Sequence, residues 1–300
     1  MRIGLALDTH ATRATAGEVS WPRLLAQAQL AEDLGFDLVV LPDHLLYAAG
    51  GEGDYARPDE AVGAWESLAL AGALASSTTR IGVGHSMLNA PYRSPYLVAK
   101  AAATLDEVSG GRYQLGIGSG NSFDYAAVGV DADDRSQRLA DTVEILHALL
   151  REGRADVVGA TTRAERAEMV LPTPQGYGPP LAVAARGPRS MRVAARYADL
   201  WNTWVAPDPD HVELAGLLGA LDVACAETDR DPATLHRTVD ASVDPLDLAG
   251  ARERCREALL GLTVLGVSEA RCYLATEGTH ASRMRALEAM ASTVEEAHSS

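Results

Sequence analysis

The sequence predicts a (β/α)8 barrel, an α/β fold of TIM type, and three observations carry that expectation. Short continuous apolar runs recur, and Leu38–Leu41 (LVVL) is the clearest; a strand apolar on both faces belongs to a parallel sheet covered by helices. Each run is followed by apolar residues at helical spacing, and the pair repeats at roughly 35–40 residues, as right-handed βα crossovers do. Eight such units fit the 300 residues as one domain, 1–300, with an insertion at about 151–180 between units four and five.

Unit one opens with a strand over Arg2–Leu7. Trp21, Leu24, Leu25, Ala28, Ala31 and Leu34 then share a helical face until Gly35 ends the helix. Leu38–Leu41 delivers Pro42, Asp43 and His44 to a Gly- and charge-rich stretch, 45–64, whose length reads as a functional lid. Helix Trp65–Ser76 and strand Ile81–Gly84 follow. The next helix spans Ser94–Val108, with Leu97, Val98, Ala101, Leu105 and Val108 on its core face, before a strand at Tyr113–Ile117. Helix four, Arg135–Leu150, turns Leu139, Val143, Leu146 and Leu150 inward. Val157–Val158 and Glu168–Leu171 read as a small β excursion before the turn PTPQGYGPP. Strands at Leu181–Ala185, Leu200–Thr203, Val239–Val243 and Ala270–Ala275 resume the rhythm. Their helices run to Tyr197 and over Asp210–Thr228, Ala249–Leu265 and Ser282–Ala297.

Composition narrows the function. With 41 acidic and 26 basic residues the net charge is −15, which argues against general binding to nucleic acid or an anionic membrane. A local anion site is still compatible with it. The chain has no run of about 18 apolar residues, and MRIGLALD reads as a core strand, so the expectation is a cytoplasmic protein. Cys225, Cys255 and Cys272 share no CxxC spacing and read as buried thiols. Lys100, the single lysine, falls inside a helix, which argues against Schiff-base chemistry.

Chemistry-bearing residues collect after strand C-termini, where α/β folds bind ligands. His10, His44 and His85 follow strands one to three, and histidine both moves protons near neutral pH and ligates metals. A metal is disfavoured, because Asp8-Thr9-His10 lacks a paired-histidine spacing and no later strand end supplies another histidine. His44, directly after Pro-Asp at the base of the long loop, has the best case for acid–base work. Gly116, Gly118 and Gly120 permit close backbone approach to a ligand, and Asn121, Ser122 and Asp124 follow them. Arg186, Gly187, Pro188, Arg189 and Ser190 open a helix directly after a strand. That is an anion cradle of backbone N–H groups, a hydroxyl and two guanidiniums, or else an ordinary Gly-Pro helix start with solvent arginines. Trp201, Asn202 and Trp204 end strand six, where an indole either walls a flat ring or packs the barrel. The Gly-x-Gly-x-Gly of strand four lacks the helix-start glycine of a dinucleotide fingerprint.

Three segments, AEDLGFDLVVLPDH, LVAKAAATLDEVSGGRYQLGIGSG and AARGPRSMRVAARYADLWNTW, resemble the luciferase-like monooxygenase family of flavin- and deazaflavin-dependent oxidoreductases. The likeness covers nearly the whole chain. It implies a (β/α)8 barrel that holds FMN or coenzyme F420 at the strands' C-terminal face, and a homodimer. F420 is a 5-deazaflavin that carries a hydride and does not activate oxygen as reduced FMN does. GHSMLNAPYRSP and GSGNSFDYAAVG resemble the methylene-tetrahydromethanopterin reductase-like branch, which has a non-proline cis peptide near the ring, and this favours F420.

By position, the resemblance implies that His44 lies close to ring and substrate. His85, Ser86 and Met87 would back the ring, Gly118 and Gly120 would give it room, and Arg186–Ser190 would bind phosphate. His10, Asp124 and Trp201 are the expected substrate contacts, with Asn121 catalytic beside His44. Asn121 stands where relatives often carry an acid, including the family's glucose-6-phosphate dehydrogenases. That departure argues against the sugar-phosphate reaction and leaves the identity of the proton donor open. The expected activity is F420-dependent hydride transfer to a small organic acceptor. The alternatives are an FMN-dependent monooxygenase fed by a separate flavin reductase, and a non-catalytic flavin-binding protein.

Overall fold

The computed structural model describes residues 1–44, 61–120, 125, 129–131, 133–205, 211–243, 245, 251–274 and 278–299. Strands β1 (Arg2–Ala6), β2 (Leu38–Leu41), β3 (Gly82–His85), β4 (Tyr113–Gly118), β5 (Leu181–Ala184), β6 (Leu200–Val205), β7 (His236–Val243) and β8 (Glu269–Leu274) pair in parallel in that order. β8 pairs back to β1, Ile3 opposite Ala270, so the expected barrel closes. Around it run α1 (Trp21–Asp33), α2 (Ser67–Ser77), α3 (Pro95–Ser109), α4 (Arg135–Glu152), α5 (Pro188–Tyr197), α6 (Val212–Glu227), α7 (Ala251–Val264) and α8 (His280–Ser299). No helix among the described residues is long and apolar enough to cross a membrane.

Alternate strand residues build two cores. Ile3, Leu5, Val39, Leu41, Val83, Leu115, Ile117, Val183, Trp201 and Val239 belong to the main apolar cluster between strands and helices. The barrel interior carries Ala6, Leu38 and Val40, and then a buried polar group that the sequence reading did not anticipate. Arg271, with no exposed surface, donates to Glu269 at 2.8 Å, Gln114 at 2.9 Å and Ser86 Oγ at 3.0 Å. Asp240 accepts from Ser86 Oγ at 2.7 Å and from Asn202 at 3.1 Å. A charge inside a barrel persists only when it is paired and hydrogen-bonded, and each of these is.

Two expectations need correction. On α3 the core face is Val98, Ala99, Ala102, Leu105 and Asp106, whereas Leu97 is 57% and Val108 49% exposed. The helix is rotated by its fully buried Asp106, which accepts from Thr173 Oγ1 at 2.5 Å and Gln175 Nε2 at 2.6 Å. Between α4 and β5 the chain forms an antiparallel hairpin of Arg154–Val158 and Arg163–Glu168, so the second strand lies upstream of Glu168–Leu171. Only Ala164 and Ala167 of RAERAE pack on the core; a ribbon open to water on its other face needs no more. Val170 and Leu171 stay exposed.

The Ser-Gly-Gly-Arg turn proves to be structural. Gly110 ends α3 in the left-handed conformation, and Arg112 then donates to the carbonyls of Ala75, Thr78 and Ile81, tying the end of α2 to the start of β3.

Candidate active site

The C-terminal mouth of the barrel is built outward from β2. Asp43 is 2% exposed and its carboxylate is met on every side. Arg93 forks onto its two oxygens at 2.7 and 2.9 Å, Ser67 Oγ donates at 2.8 Å, and the Asn89 N–H donates at 2.8 Å. Asn89 Nδ2 also donates to the Asp43 carbonyl at 2.6 Å. Burial pulls the Asp43 pKa up, but the Arg93 guanidinium and these hydrogen bonds outweigh it and hold the carboxyl below its ordinary value. Glu66 pairs with the outer side of Arg93 at 2.7 Å and caps α2 through the Ala69 N–H. This knot fixes the backbone directly before His44.

His10 stands against His44, with ring centroids 4.8 Å apart and planes at 60°. Asp8 holds it there. Its Oδ1 accepts from the His10 N–H at 3.0 Å and lies 3.3 Å from Nδ1, while Arg283 of α8 pairs with Oδ2. Burial raises the Asp8 pKa, yet the His10 hydrogen bond and the Arg283 charge bring it below the ordinary value. His10–Ala11 pairs antiparallel with Gly63–Ala64, so the return from the long loop lands on the end of β1. Of the loop expected over 45–64, residues 45–60 lie outside the described residues, as do Asn121 and Asp124.

The end of β3 supplies a ledge. Ser86–Met87 is a cis peptide, as the resemblance implies. Ser86 Oγ is held by Asp240 and Arg271, its carbonyl accepts from Tyr273 Oη at 3.0 Å, and its N–H donates to the Leu41 carbonyl at 3.0 Å. The segment after it, Leu88–Asn89, pairs with Ile117 and Gly118 of β4.

The glycines of β4 serve this ledge first. A Cβ on Gly116 would overlap the His85 carbonyl oxygen, and one on Gly118 would touch Met87 and Ala184 at 3.4 Å. Gly120, at φ +76°, abuts Asn89 Oδ1. The room they make is filled by Met87 and Asn89.

His85 and Trp201 depart from their expected roles. His85 is 1% exposed, its Nδ1 lies 2.7 Å from the Tyr113 hydroxyl, and burial lowers its pKa to about 4. Its side chain packs with Tyr113 behind the strands, so only its backbone reaches the mouth. Trp201 has no exposed surface and donates from Nε1 to the Ala185 carbonyl at 2.8 Å, which makes it a core residue and not a wall of the site. Strand parity decides both: each side chain points toward the helices.

Across the mouth, Gly187 caps α5 and the Arg186–Arg189 stretch is exposed. Arg186 pairs with Glu213 and the Trp204 carbonyl, and Arg189 with Gln137. Ser190 Oγ donates to the Gly187 carbonyl at 3.0 Å. A Cβ on Gly187 would have only Ser190 Oγ near it, at 3.9 Å, so the turn is open above its first N–H groups. An exposed, open helix start flanked by two guanidiniums fits the phosphate that FMN and F420 both carry.

Sequence reasoning missed Arg93, Asn89, Arg283, Asp240 and Arg271, whose partners lie tens to hundreds of residues away. Arg93 and Asn89 do fall within GHSMLNAPYRSP, and that motif was the only signal pointing to them. Among the described residues no cluster of three His, Cys, Asp or Glu is grouped to hold a metal.

The family model described as luciferase-like monooxygenase matches residues 1–296. An F420-dependent glucose-6-phosphate dehydrogenase of Beutenbergia cavernae is 34% identical over 254 residues, covering 81% of this chain and 70% of that protein. The 4-hydroxyprotoasukamycin monooxygenase of Streptomyces nodosus subsp. asukaensis is 36% identical over 127 residues, 41% of this chain and 34% of that protein. Among solved structures, an F420-dependent secondary alcohol dehydrogenase in complex with an F420-acetone adduct superposes with a TM-score of 0.76 at 16% identity, covering 97% of both chains, which establishes the shared fold. The chain belongs to the luciferase-like monooxygenase family.

Proposed function

We propose that this chain is an F420-dependent oxidoreductase that exchanges a hydride between the deazaflavin and a small organic molecule at the C-terminal mouth. The observation that carries the reading is His44, set on the Asp43–Arg93–Asn89 knot against His10 and at the same barrel end as the open Gly187–Ser190 turn. The B. cavernae relative, itself F420-dependent, supports the deazaflavin over FMN.

F420, when bound, would supply the hydride. The protein's part is to bind, orient and manage the proton. Arg186, Gly187, Arg189 and Ser190 hold the phosphate through N–H groups, hydroxyl and charge. The Ser86–Met87 ledge gives a flat ring a fixed surface, locked from beneath by Asp240 and Arg271. His44 carries the proton that accompanies the hydride, with its backbone fixed by Asp43 and its ring braced by His10. The family resemblance assigns Asn121 and Asp124 to the substrate, and the length and composition of 45–64 suit a lid. A homodimer completes the reading.

Titration with F420 and with FMN, each followed by fluorescence, tests the reading. F420 is expected to bind at micromolar concentration, without oxygen consumption; failure to bind F420 would overturn it. The second reading, an FMN monooxygenase supplied by a separate flavin reductase, draws on the S. nodosus relative. It predicts FMN binding and reductase-dependent oxygenation.

A further inference from the structure

The hairpin inserted between α4 and β5 is tied to the phosphate turn by a chain of hydrogen bonds. Residues 159–162 form the turn of that hairpin, since Val158 pairs with Arg163. The turn presses on α4 at Asp141, which is 3% exposed. The Thr161 N–H donates to Asp141 Oδ2 at 2.6 Å, and the Thr161 hydroxyl donates to the same oxygen at 2.7 Å. A Cβ on Gly159 would overlap the Asp141 carboxyl group, so the close approach depends on glycine. Gln137, one turn earlier on α4, donates from Nε2 to Asp141 Oδ1 at 2.6 Å. Its Oε1 accepts from the guanidinium of Arg189, in the first turn of α5.

The direction of this chain is set by its two ends. A guanidinium only donates and a carboxylate only accepts, so the Gln137 amide must turn its oxygen to Arg189 and its nitrogen to Asp141. Burial raises the Asp141 pKa, but the hydrogen bonds from Thr161 and Gln137 outweigh it and hold the carboxyl below its ordinary value. It is an acceptor at neutral pH. Arg189 is exposed, and an exposed arginine left to itself loses rotamer freedom when a ligand fixes it. Gln137 takes one of its five N–H donors and leaves the others for a ligand.

We propose that Gln137 and Asp141 are positioning residues for the cofactor phosphate: they hold Arg189 ready beside the Gly187–Ser190 turn, with the inserted hairpin as their anchor. This rests on the reading that the turn takes a phosphate, and not on which flavin carries it.

Fluorescence titration with two ligand pairs tests it: F420 against the same deazaflavin with a bare ribityl chain, and FMN against riboflavin. The pair whose ring the parent binds is the one read. Within a pair the ratio of affinities isolates the phosphate end, because a general loosening of the fold weakens both members alike. Arg189→Gln should lower the preference for the phosphorylated member about fivefold, the upper range for an exposed charge pair. Asp141→Asn should lose most of that factor. The Thr161 N–H cannot turn into an acceptor, so the Asn oxygen stays with it and the new amide nitrogen faces Gln137. Gln137 then flips and offers N–H groups to Arg189, which has no acceptor to give. Adding Gln137→Glu to Asp141→Asn restores an acceptor on both sides, and the preference should return to within about twofold of the parent. A preference kept or increased in Asp141→Asn, or left unrepaired in the double variant, would overturn the proposal. A parent that prefers neither phosphorylated member would overturn the reading of the turn, and this proposal with it.

Discussion

Replacing Arg93 with methionine strands Asp43. The carboxylate, 1% exposed at its side chain, then keeps only Ser67 Oγ and the Asn89 N–H as partners. Removing one member of a buried pair costs about 3–5 kcal/mol, chiefly because an uncompensated charge is left inside. The double variant Arg93→Met/Asp43→Asn removes that charge; its amide oxygen can accept from the Asn89 N–H while its Nδ2 donates to Ser67 Oγ, so most of the loss should return. Urea unfolding at pH 7 compares the three proteins. The sign with pH is distinctive. In the parent, the Asp43 pKa lies below 3.8, so its stabilisation is complete above that value and is lost as pH falls further. In the single variant only the Ser67 and Asn89 hydrogen bonds still oppose burial, so the pKa rises relative to the parent, and acidification towards pH 4 should narrow its deficit. Because Asn89 couples Asp43 to the ledge, F420 affinity should fall in the single variant and recover in part in the double. Single and double variants equally unstable at pH 7 would refute the reasoning, since the cost would then be lost arginine packing.

His85 should make the fold acid-sensitive above the carboxylate range. Its folded pKa of about 4 lies under the ordinary 6.5, so the stabilisation is complete above pH 6.5 and is lost as pH falls towards 4; the gap is worth about 3 kcal/mol. His85→Asn keeps a partner for the Tyr113 hydroxyl and lacks the titration, so its urea midpoint should fall less over that window; parallel curves would contradict the assignment. Gly116→Ala should destabilise by about 3 kcal/mol, because the obstacle is the His85 carbonyl and no side chain can swing aside. Melting temperature reads this change, and an unchanged value would mean the ledge yields freely.

Strand positions were legible because a doubly covered parallel strand is a continuous apolar run; LVVL at 38–41 matches β2 at both ends. The same feature hides which way each residue points. With both faces buried, hydropathy does not alternate, and a strand-end His or Trp is read as facing the mouth when it faces the helices. The interior charges were illegible for a related reason. Glu269 and Arg271 stand two apart in a strand, a spacing that also suits a solvated face, and only closure of the barrel brings Gln114 and Ser86 to Arg271.

One signal does carry parity, and it is size. The inside of an eight-stranded barrel is narrow, so inward positions are pressed toward small residues wherever a large one already fills the space. A Cβ on Gly4 would strike Leu38, one on Gly82 would also meet Leu38, and one on Gly84 would meet the Gln114 backbone and Val40. Gly84 inward makes His85 outward. Likewise Gly118 abuts Ala184 on the neighbouring strand, which puts Ala182 and Ala184 inside with it and, through the pairing of Ala184 with Asn202, turns Asn202 inward and Trp201 outward. The alternating glycines and alanines of GVGH, YQLGIG and LAVA lie on the inward phase of their strands. That phase assigns His44 to the site by a different route from His85: His44 lies beyond β2, where the pleat has ended and Asp43, held by Arg93, sets the direction of the chain.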